Sequence, residues 1–499
     1  MKLRLGLALL AACLLAACGT RLPDSAFVAS QASNNGNATT DSTLAAGDVT
    51  SPGAVTQDTV AGSTGSSGSS KGSTGGGATG GATNAVSGPN QASDVGITAT
   101  TITLGNITAE NGVLGDAFAP AARGMRAWTA AVNAAGGING RKVILKTCDD
   151  REDRARDLAC AQQLVEQDKV FALVGDNTRS HGGSAQYLND QGVPVVGLPI
   201  TNSYYRYPHF WSAYPEGYPR DGAHVGVNGN LVYQSGIYRW FKQNLGVTEA
   251  AVFEYDINES KQAGDGFAKG MELEGMHVTS YTVSFAAPSF DQAVADMQRR
   301  GVQIILDAMD DGANRKLCDA MQRRSFTVKA KVSTVVSMGD NVADSYNDTC
   351  KGSVYIPSQS LPYSLTSVPE IAKFRAAYAK YQPGLPLHQW ALETWDLGQM
   401  LASYLTKAGA APTRKGFEDY MRGLRIYSGN GTLVGLQWVS PPRSRSGAVQ
   451  DYSLTHVEDC FLIARFDVAK NQWAEATGKY PFCYPDANQF STPALEQGN

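Results

Sequence analysis

Apolar and polar residues follow one another in a regular order from residue 101 onward. TITLGNIT (101–108) alternates the two classes as a half-buried strand does, and APAARGMRAWTAAVNAAGG (119–137) carries apolar residues at helical spacing before a Gly-Gly stop. Three more strands are predicted in INGRKVILKTCDD, VFALVGD and VPVVGLPIT, with helices in RARDLACAQQLVEQDK and GGSAQYLNDQG between them. Strands that alternate with helices predict a parallel sheet with helices on both faces.

A second series with the same rhythm begins near residue 222. GAHVGVNGNLVYQSGIYRWFKQNLG (222–246) predicts a helical region, and the strands EAAVFEYD, MHVTSYTVSF, VQIILDAMD and AKVSTVV then alternate with helices. The loop INESKQAGDG (257–266) after the first of these strands is long. Two helices and a few short strands, such as GLQWVS (435–440) and CFLIARFD (460–467), end the chain. Two similar α/β units in one chain predict two lobes with a cleft between them.

The first residues predict export. Lys2 and Arg4 precede a short apolar run, and LAAC at residues 15–18 ends it, so residues 1–17 are predicted to be a signal peptide. LAAC resembles the lipobox of bacterial lipoproteins, which implies cleavage before Cys18 and lipid on its sulfur. The alternative is an ordinary signal peptide with a chance cysteine. No other segment approaches the ~20 apolar residues that a spanning helix needs, so we expect an anchored protein.

Residues 18–94 have the composition of a tether. GSTGSSGSSKGSTGGGATGGATN is almost free of large apolar residues, and such segments behave as flexible coils because they cannot bury enough surface to fold. The lipidated cysteine and this tether would hold a folded region off the membrane surface. That region, from about residue 95 to 490, is long enough for a sizeable core and for two or three domains.

Composition and motifs exclude several classes of function. The net charge is −4 and only 18% of residues are charged, with no basic stripe, so no nucleic-acid partner is expected. The chain has no GxSxG elbow, no GxxxxGK[ST] phosphate loop and no HExxH pair, so it is not expected to be an enzyme or to need a cofactor.

Six cysteines remain after the signal and the lipidated residue: Cys148, Cys160, Cys318, Cys350, Cys460 and Cys483. An even number in an oxidising compartment favours disulfides, and six cysteines allow 15 pairings. Pairing between neighbours in the sequence is favoured, namely Cys148–Cys160, Cys318–Cys350 and Cys460–Cys483. A metal site is the weaker alternative, because there is no CxxC and the histidines do not fall at ligand spacing.

The order of these motifs resembles the type I periplasmic binding proteins, in particular the leucine/isoleucine/valine-binding branch of ABC-transporter receptors. The resemblance is carried by TITLGNITAENGVLGDAFAPAARGMRAWTAAVNAAGGINGRKV, LVEQDKVFALVGDNTRSHGGSAQYLNDQGVPVVGLPIT, FDQAVADMQRRGVQIILDAMDDGANRKLCDAMQRRSF and HQWALETWDLGQMLASYLTKAG. It implies an α/β fold of two similar Rossmann-like lobes, each a parallel sheet flanked by helices.

The resemblance also implies that three crossings of a hinge join the lobes. They fall near Pro215–Gly222, Ile356–Leu361 and Gly429–Gly435. Lobe 1 would comprise residues 95–217 plus 361–430, and lobe 2 would comprise residues 218–360 plus 431–490. Receptors of this kind close around a ligand in the cleft while hinge residues absorb the rotation.

The stretch GDNTRSHGG (175–183) is the first candidate ligand contact. Open parallel sheets bind ligands outside the carboxyl ends of their strands, where helix N-termini attract anions. In the family a hydroxyl residue here and a threonine after the next strand hold an amino-acid carboxylate. The resemblance gives these roles to Thr178 and Thr201, with the backbone near Pro199 contributing and Ser180 and Asn202 as the next donors.

Arg179 has two interpretations. It could hold a carboxylate by two parallel hydrogen bonds, or it could point to solvent or pair with Asp176. His181 is expected to be structural or exposed.

Loops in matching positions supply further candidates. The ligand contacts would include Asn111, Leu114, Tyr255, Asp256, Asp310 and Ser337, with Gly112, Asp311 and Met338 beside them. Asp310 or Asp311 could hold an ammonium group, or could instead cap the following helix. The aliphatic amino-acid receptors have an acidic residue after the strand that corresponds to KVSTVV, where this chain has Val336, Ser337 and Met338. A different amino acid, a small amide or a carboxylate is therefore as plausible a ligand as leucine, isoleucine or valine.

These features predict a monomeric solute receptor for an ABC importer, with permease and ATPase subunits as partners. Its lipid would anchor it on the extracytoplasmic face of the cell membrane, in a periplasm or at a cell surface. Two alternatives stay open: a ligand sensor of the same fold that signals to a membrane protein, and a surface lipoprotein that binds no small molecule.

Overall fold

The structure, a computed structural model, describes residues 87–213, 220–341, 346–424, 427–433 and 456–495. The predicted strand at 435–440 lies outside these residues, as do the signal sequence and most of the tether. Within the described ranges, no helix is both long enough and apolar enough to cross a membrane.

The first sheet contains five parallel strands in the order β2-β1-β3-β4-β5. They are β1 (Thr101–Ile107), β2 (Lys142–Cys148), β3 (Ala172–Val174), β4 (Val195–Val196) and β5 (Phe210–Trp211). The helices between them are α1 (Gly115–Ala134), α2 (Arg154–Gln162, continued by a π-helical turn to Gln167), α3 (Ala185–Asp190) and α4 (Ser203–Arg206). The predicted alternation of strands and helices is confirmed.

The second sheet is mixed rather than wholly parallel. Strands β8-β7-β9-β10-β11 run parallel, and β12, β14 and β6 continue the sheet in antiparallel fashion. The strands are β6 (Asn230–Gln234), β7 (Glu249–Tyr255), β8 (His277–Val283), β9 (Ile304–Ala308), β10 (Ala330–Val332), β11 (Val354–Ser358), β12 (His456–Asp467), β13 (Gln472–Glu475, paired to β12) and β14 (Phe482–Pro493). The helices are α5 (Gly236–Leu245), α6 (Asn258–Leu273), α7 (Asp291–Arg300), α8 (Asp311–Arg323) and α9 (Asp348–Lys351).

Two local predictions in the second series were wrong. Part of the predicted helical region 222–246 is strand β6, because its partner β14 comes more than 200 residues later, with Phe490 opposite Tyr233. Helix α6 begins at Asn258, inside the predicted loop. Its glycines permit close packing: a Cβ at Gly264 would lie 2.1 Å from a carboxylate oxygen of Glu254.

Three late helices follow β11: α10 (Pro369–Tyr381), α11 (Gln389–Ala408) and α12 (Arg414–Gly423). Helix α11 packs against α1 of the first sheet. The Thr394 hydroxyl donates to the Ala121 carbonyl at 2.8 Å, and Phe118 stacks on Trp390 with ring centroids 5.3 Å apart. A Cβ at Gly398 would come within 2.6 Å of the Trp128 ring, so glycine allows this close approach.

Two of the predicted hinge segments lie side by side. Ser360 and Leu433 form an isolated antiparallel bridge, and the Leu361 N–H donates to the Thr432 carbonyl at 2.7 Å. Residues 214–219 and 434–455, which include most of the predicted crossing at Pro215–Gly222 and the end of the one at Gly429–Gly435, lie outside the described residues. The lobe boundaries stay a prediction.

Three disulfides join neighbouring elements, and they are the pairs that the sequence favours. Cys148–Cys160 links β2 to α2, Cys318–Cys350 links α8 to α9, and Cys460–Cys483 links β12 to β14. Their Cα separations are 5.6, 5.8 and 4.1 Å. Each cross-link limits the unfolded chain locally, since the bridged cysteines are 12 to 32 residues apart.

A buried carboxyl group in α11 predicts how stability varies with pH. Glu393 accepts a hydrogen bond from the Ser360 hydroxyl at 2.7 Å, and burial raises the pKa of Glu393 to about 8 from an ordinary value of 4.5. Between these values the folded protein holds a proton that the unfolded chain releases. The contribution of this group to the free energy of unfolding is therefore greatest below pH 4.5 and is lost as the pH rises to about 8.

We expect Glu393→Gln to remove a pH dependence of up to about 1.4 kcal/mol per pH unit. Urea denaturation between about pH 5 and pH 8 measures it. The exposed Glu272 supplies a control, Glu272→Gln, which should keep the wild-type slope. A Glu393→Gln protein with the wild-type slope would contradict the assignment.

Candidate ligand-binding cleft

The predicted site residues lie at the carboxyl ends of strands in both sheets, and two contacts join these edges. The guanidinium carbon of Arg179, after β3, lies 5.3 Å from the centroid of the Phe285 ring, after β8. Asn202, after β4, is hydrogen-bonded to Gln262 in α6. We refer to the first-sheet edge as the first wall and to the second-sheet edge as the second wall.

Thr178 is held from within the first wall. Its buried hydroxyl donates to the carboxylate of Asp150 and accepts from the Ser180 N–H at 3.0 Å. Burial raises the pKa of Asp150 to about 6, and the hydrogen bond from Thr178 opposes that rise. The hydrogen of this hydroxyl is therefore engaged by the protein itself.

Thr201 differs from Thr178. It is 1% exposed, and its hydroxyl has no hydrogen-bond partner among the described residues. The Pro199 carbonyl nearby accepts from the Tyr205 hydroxyl at 2.7 Å. A buried hydroxyl without a partner is unusual in a folded protein, so Thr201 is the threonine with a donor to offer.

Arg179 is paired with Glu152 rather than with Asp176, and its side chain is 28% exposed. Its Nε donates to Glu152 Oε2 at 2.9 Å, while the other oxygen of Glu152 accepts from the Leu114 N–H. The Glu152 side chain is only 4% exposed. Glu152 and the preceding Arg151 both have positive φ values, +61° and +52°, which cost a non-glycine residue of order 1–3 kcal/mol each.

The carboxylate of Glu152 thus joins the ends of β1 and β3. Beside it, Asn111 Nδ2 donates to Asp149 Oδ2 at 2.6 Å, and the Asn111 N–H donates to Asp149 Oδ1 at 3.3 Å. Three of the predicted residues, Asn111, Leu114 and Arg179, are therefore organised by the acidic turn that follows β2.

His181 lies behind the first wall. It is 1% exposed, with Nδ1 3.5 Å from Asp157 and Nε2 3.7 Å from Asp176. Burial lowers the pKa of His181, but the hydrogen bond and charge of Asp157 outweigh this, so the pKa is raised overall. Burial also raises the pKa of Asp176 to about 7. His181 is therefore part of the core, as expected for a structural residue.

The second wall is built around Tyr255 and Phe285. The Tyr255 hydroxyl donates to Asp310, and the two aromatic rings meet edge to face with centroids 5.1 Å apart. Asp310 also caps α8, because its Oδ1 accepts from the N–H groups of Gly312 and Ala313 at 2.6 and 3.2 Å. Asp256 accepts from the Phe285 N–H at 2.8 Å.

Ser337 belongs to a polar network beneath this wall. It is fully buried, and its hydroxyl lies 3.3 Å from that of Ser333 and 3.4 Å from Asn314 Nδ2. The network is centred on a buried ion pair, Lys331 Nζ to Asp307 Oδ2 at 2.7 Å. In this structure Ser337 therefore supports the second wall indirectly, through its contacts with Ser333 and Asn314.

Asn202 meets the C-terminal segment and the second wall together. Its Nδ2 donates to the Leu495 carbonyl at 2.8 Å, and Gln262 Nε2 donates to its Oδ1 at 3.1 Å. The Leu495 N–H donates to Gln262 Oε1 at 2.8 Å, which completes a three-residue cluster.

Sequence reasoning missed Glu152, Phe285 and Gln262. The rule that ligands bind at the carboxyl ends of strands would have found the first two, since Glu152 follows β2 and Phe285 follows β8. Gln262 had no such signal, because its segment was predicted to be a loop.

The fold and this arrangement of walls define a two-lobed binding protein. The family model described as "Periplasmic binding protein" matches residues 101–460, and the chain belongs to this family. The predicted type I fold is confirmed. Membership of the family implies a location outside the cytoplasm.

Solved structures with the same fold have low sequence identity to the chain. A fatty acid ABC transporter substrate-binding protein from Thermomonospora curvata is 15% identical, with a TM-score of 0.60 over 79% of this chain and 95% of that one. The branched-chain amino acid protein LivJ from Streptococcus pneumoniae, in complex with isoleucine, is 16% identical, with a TM-score of 0.56 over 78% and 100%. A solute-binding protein from R. palustris, in complex with benzoate, is 13% identical, with a TM-score of 0.55 over 79% and 99%.

One curated relative matches over a short segment. An "Amino acid binding protein" from Pseudomonas aeruginosa (strain PAO1) is 43% identical over 72 residues, which are 14% of this chain and 19% of that protein. The chain therefore spans about a fifth of the length of the curated relative it matches.

The contrast between the two threonines gives a prediction without ligand. Thr178→Val should lower the free energy of unfolding by about 1–3 kcal/mol, because it leaves the buried Asp150 carboxyl without this partner. Thr201→Val should change it by less than about 0.5 kcal/mol or raise it, since no hydrogen bond to the described residues is lost. Urea denaturation of both variants measures the difference, and equal losses would contradict these assignments.

Proposed function

We propose that this protein is the extracytoplasmic solute-binding lipoprotein of an ABC importer. It captures a small polar solute, an amino acid, an amide or a carboxylate, in the cleft between its lobes and closes by hinge rotation. The observation that carries the proposal is the pair of contacts, Arg179–Phe285 and Asn202–Gln262, that brings the carboxyl edges of two sheets together. A solute held there touches both lobes, so its binding favours the closed arrangement.

The chemistry of the walls supports binding rather than catalysis. Thr201 and Arg179 supply donors for a polar group, while Phe285 supplies apolar surface for its organic part. Structural neighbours are named for a fatty acid, isoleucine and benzoate, solutes that differ widely in size and polarity. The fold therefore accommodates many solutes, and side chains of the walls select among them.

Attachment to the membrane is part of the proposal. LAAC at residues 15–18 supports lipidation of Cys18, and the segment 18–94 supplies a tether behind it. A monomer held in this way can present its closed form to a permease whose ATPase subunits drive import.

A ligand screen by thermal shift tests the receptor function. A solute at 100 times its dissociation constant should stabilise the protein by about 2.7 kcal/mol and raise its Tm accordingly. The screen should contain amino acids, their amides and organic acids. The proposal would be abandoned if no member of the panel raised the Tm.

A threonine variant locates the bound solute. Thr201→Val should weaken binding about 10-fold or more, because its hydroxyl would donate to the ligand. The matched control is Thr129→Val in α1, whose hydroxyl is also without a hydrogen-bond partner among the described residues. Thr129 lies about 20 Å along α1 from the end of the helix at the cleft. The Thr129→Val protein should therefore bind the solute with the affinity of the wild-type protein. Equal effects of the two variants would place the site elsewhere.

Lipidation is tested separately in cells. The wild-type protein should incorporate a labelled fatty acid and partition with membranes, whereas Cys18→Ser should do neither. Release of the wild-type protein into the soluble fraction would contradict the anchor while leaving the receptor function intact.

A further inference from the structure

Arg179 has hydrogen-bonding capacity that the protein does not use. A guanidinium group carries five N–H donors, of which the Nε donor is given to Glu152. Among the described residues, Nη1 and Nη2 have no hydrogen-bond partner, and the side chain is 28% exposed. Four N–H donors at the end of the side chain are therefore available at the first wall.

Contacts from both walls hold this guanidinium in place. Glu152 holds it along one edge and is itself held by the Leu114 N–H, while the Phe285 ring covers it from the second wall. Phe285 is in turn fixed by Asp256 and by the edge-to-face contact with Tyr255. Ordering the side chain in advance lowers the entropy that a ligand must remove when it binds.

Other donors of the walls are less available. The Thr178 hydroxyl gives its hydrogen to Asp150, and Lys331 is fully buried against Asp307. Thr201 offers one neutral donor. A planar fork with a positive charge is suited to a carboxylate, which accepts two parallel hydrogen bonds from it.

We propose that Arg179 selects the solute by binding its carboxylate through Nη1 and Nη2, so that the receptor takes carboxylates and rejects the corresponding amides. The inference rests on the proposed function and narrows its ligand class. Glu152 remains on the Nε edge, so one guanidinium joins the protein carboxylate to that of the solute. Arg179 would recognise only the carboxylate of the solute, so the proposal applies to simple organic acids and to amino acids.

Matched pairs of acid and amide test this selection. Calorimetric titration should compare the binding of benzoate with that of benzamide, and the binding of leucine with that of leucinamide. Each further acid that raises the Tm in the screen should be compared with its amide, and each further amide with its acid. We expect the acid of a binding pair to bind at least 10-fold more tightly than its amide. Arg179→Gln should weaken the acid about 10- to 100-fold and leave the amide nearly unchanged, because charged hydrogen bonds are lost only with the acid.

Two further variants separate ligand binding from support of the fold. Arg179→Lys keeps the charge without the planar fork, so it should retain part of the preference. Arg299→Gln, at an arginine whose side chain is 66% exposed on α7, should behave as wild type. A purely structural role of Arg179 would weaken the acid and the amide equally, and that result would overturn the inference.

The remaining outcomes are also decisive. Equal binding of acid and amide by the wild-type protein, or a preference that survives Arg179→Gln, would overturn the inference while the receptor function stands. Absence of binding by every member of the panel would instead remove the receptor function and this inference with it.

Discussion

The packing of α11 on α1 is the contact on which the arrangement of the described helices and strands depends. It joins segments about 270 residues apart, through the Thr394 hydrogen bond to Ala121 and the close approach of Gly398 to Trp128. The chain must therefore build the first sheet, build most of the second, return to place α11, and leave again for β12. Strands β12 and β14 come last in the sequence and pair antiparallel with their neighbours in the second sheet. The paired segments at Ser360 and Leu433 follow from the same route.

The cleft follows from a second geometric constraint. Parallel strands place all their carboxyl ends at one edge, so the loops after β1, β3 and β4 share one wall and those after β7, β8 and β9 share the other. Within the first wall, the carboxylate of Glu152 ties Leu114 to Arg179. Within the second, Phe285 joins Tyr255 to Asp256. The two walls meet where Arg179 covers Phe285.

Side chains that support the walls have their polar groups paired within the protein, whereas the candidate binding groups keep unpaired donors. Asp310 is engaged by Tyr255 and two backbone N–H groups, and Lys331 is engaged by Asp307. Thr178 is engaged by Asp150. Thr201 and the outer nitrogens of Arg179 keep donors that the described residues do not use. Burial of a polar group without a partner costs free energy, so a ligand that accepts a hydrogen bond from Thr201 would recover that cost.

The sequence alone predicted the alternation of strands and helices, because periodicity is a local property, and it favoured the cysteine pairs that the structure contains. The loops that hold the candidate site residues were implied by the family resemblance. The sequence did not reveal that residues 230–234 form a strand, since the partner strand β14 lies more than 200 residues away. It also could not show that Arg179 pairs with Glu152, or that the Thr178 hydroxyl is engaged while that of Thr201 is not. Those contacts join residues from different strand ends, and only the packed sheets bring their atoms within hydrogen-bonding distance.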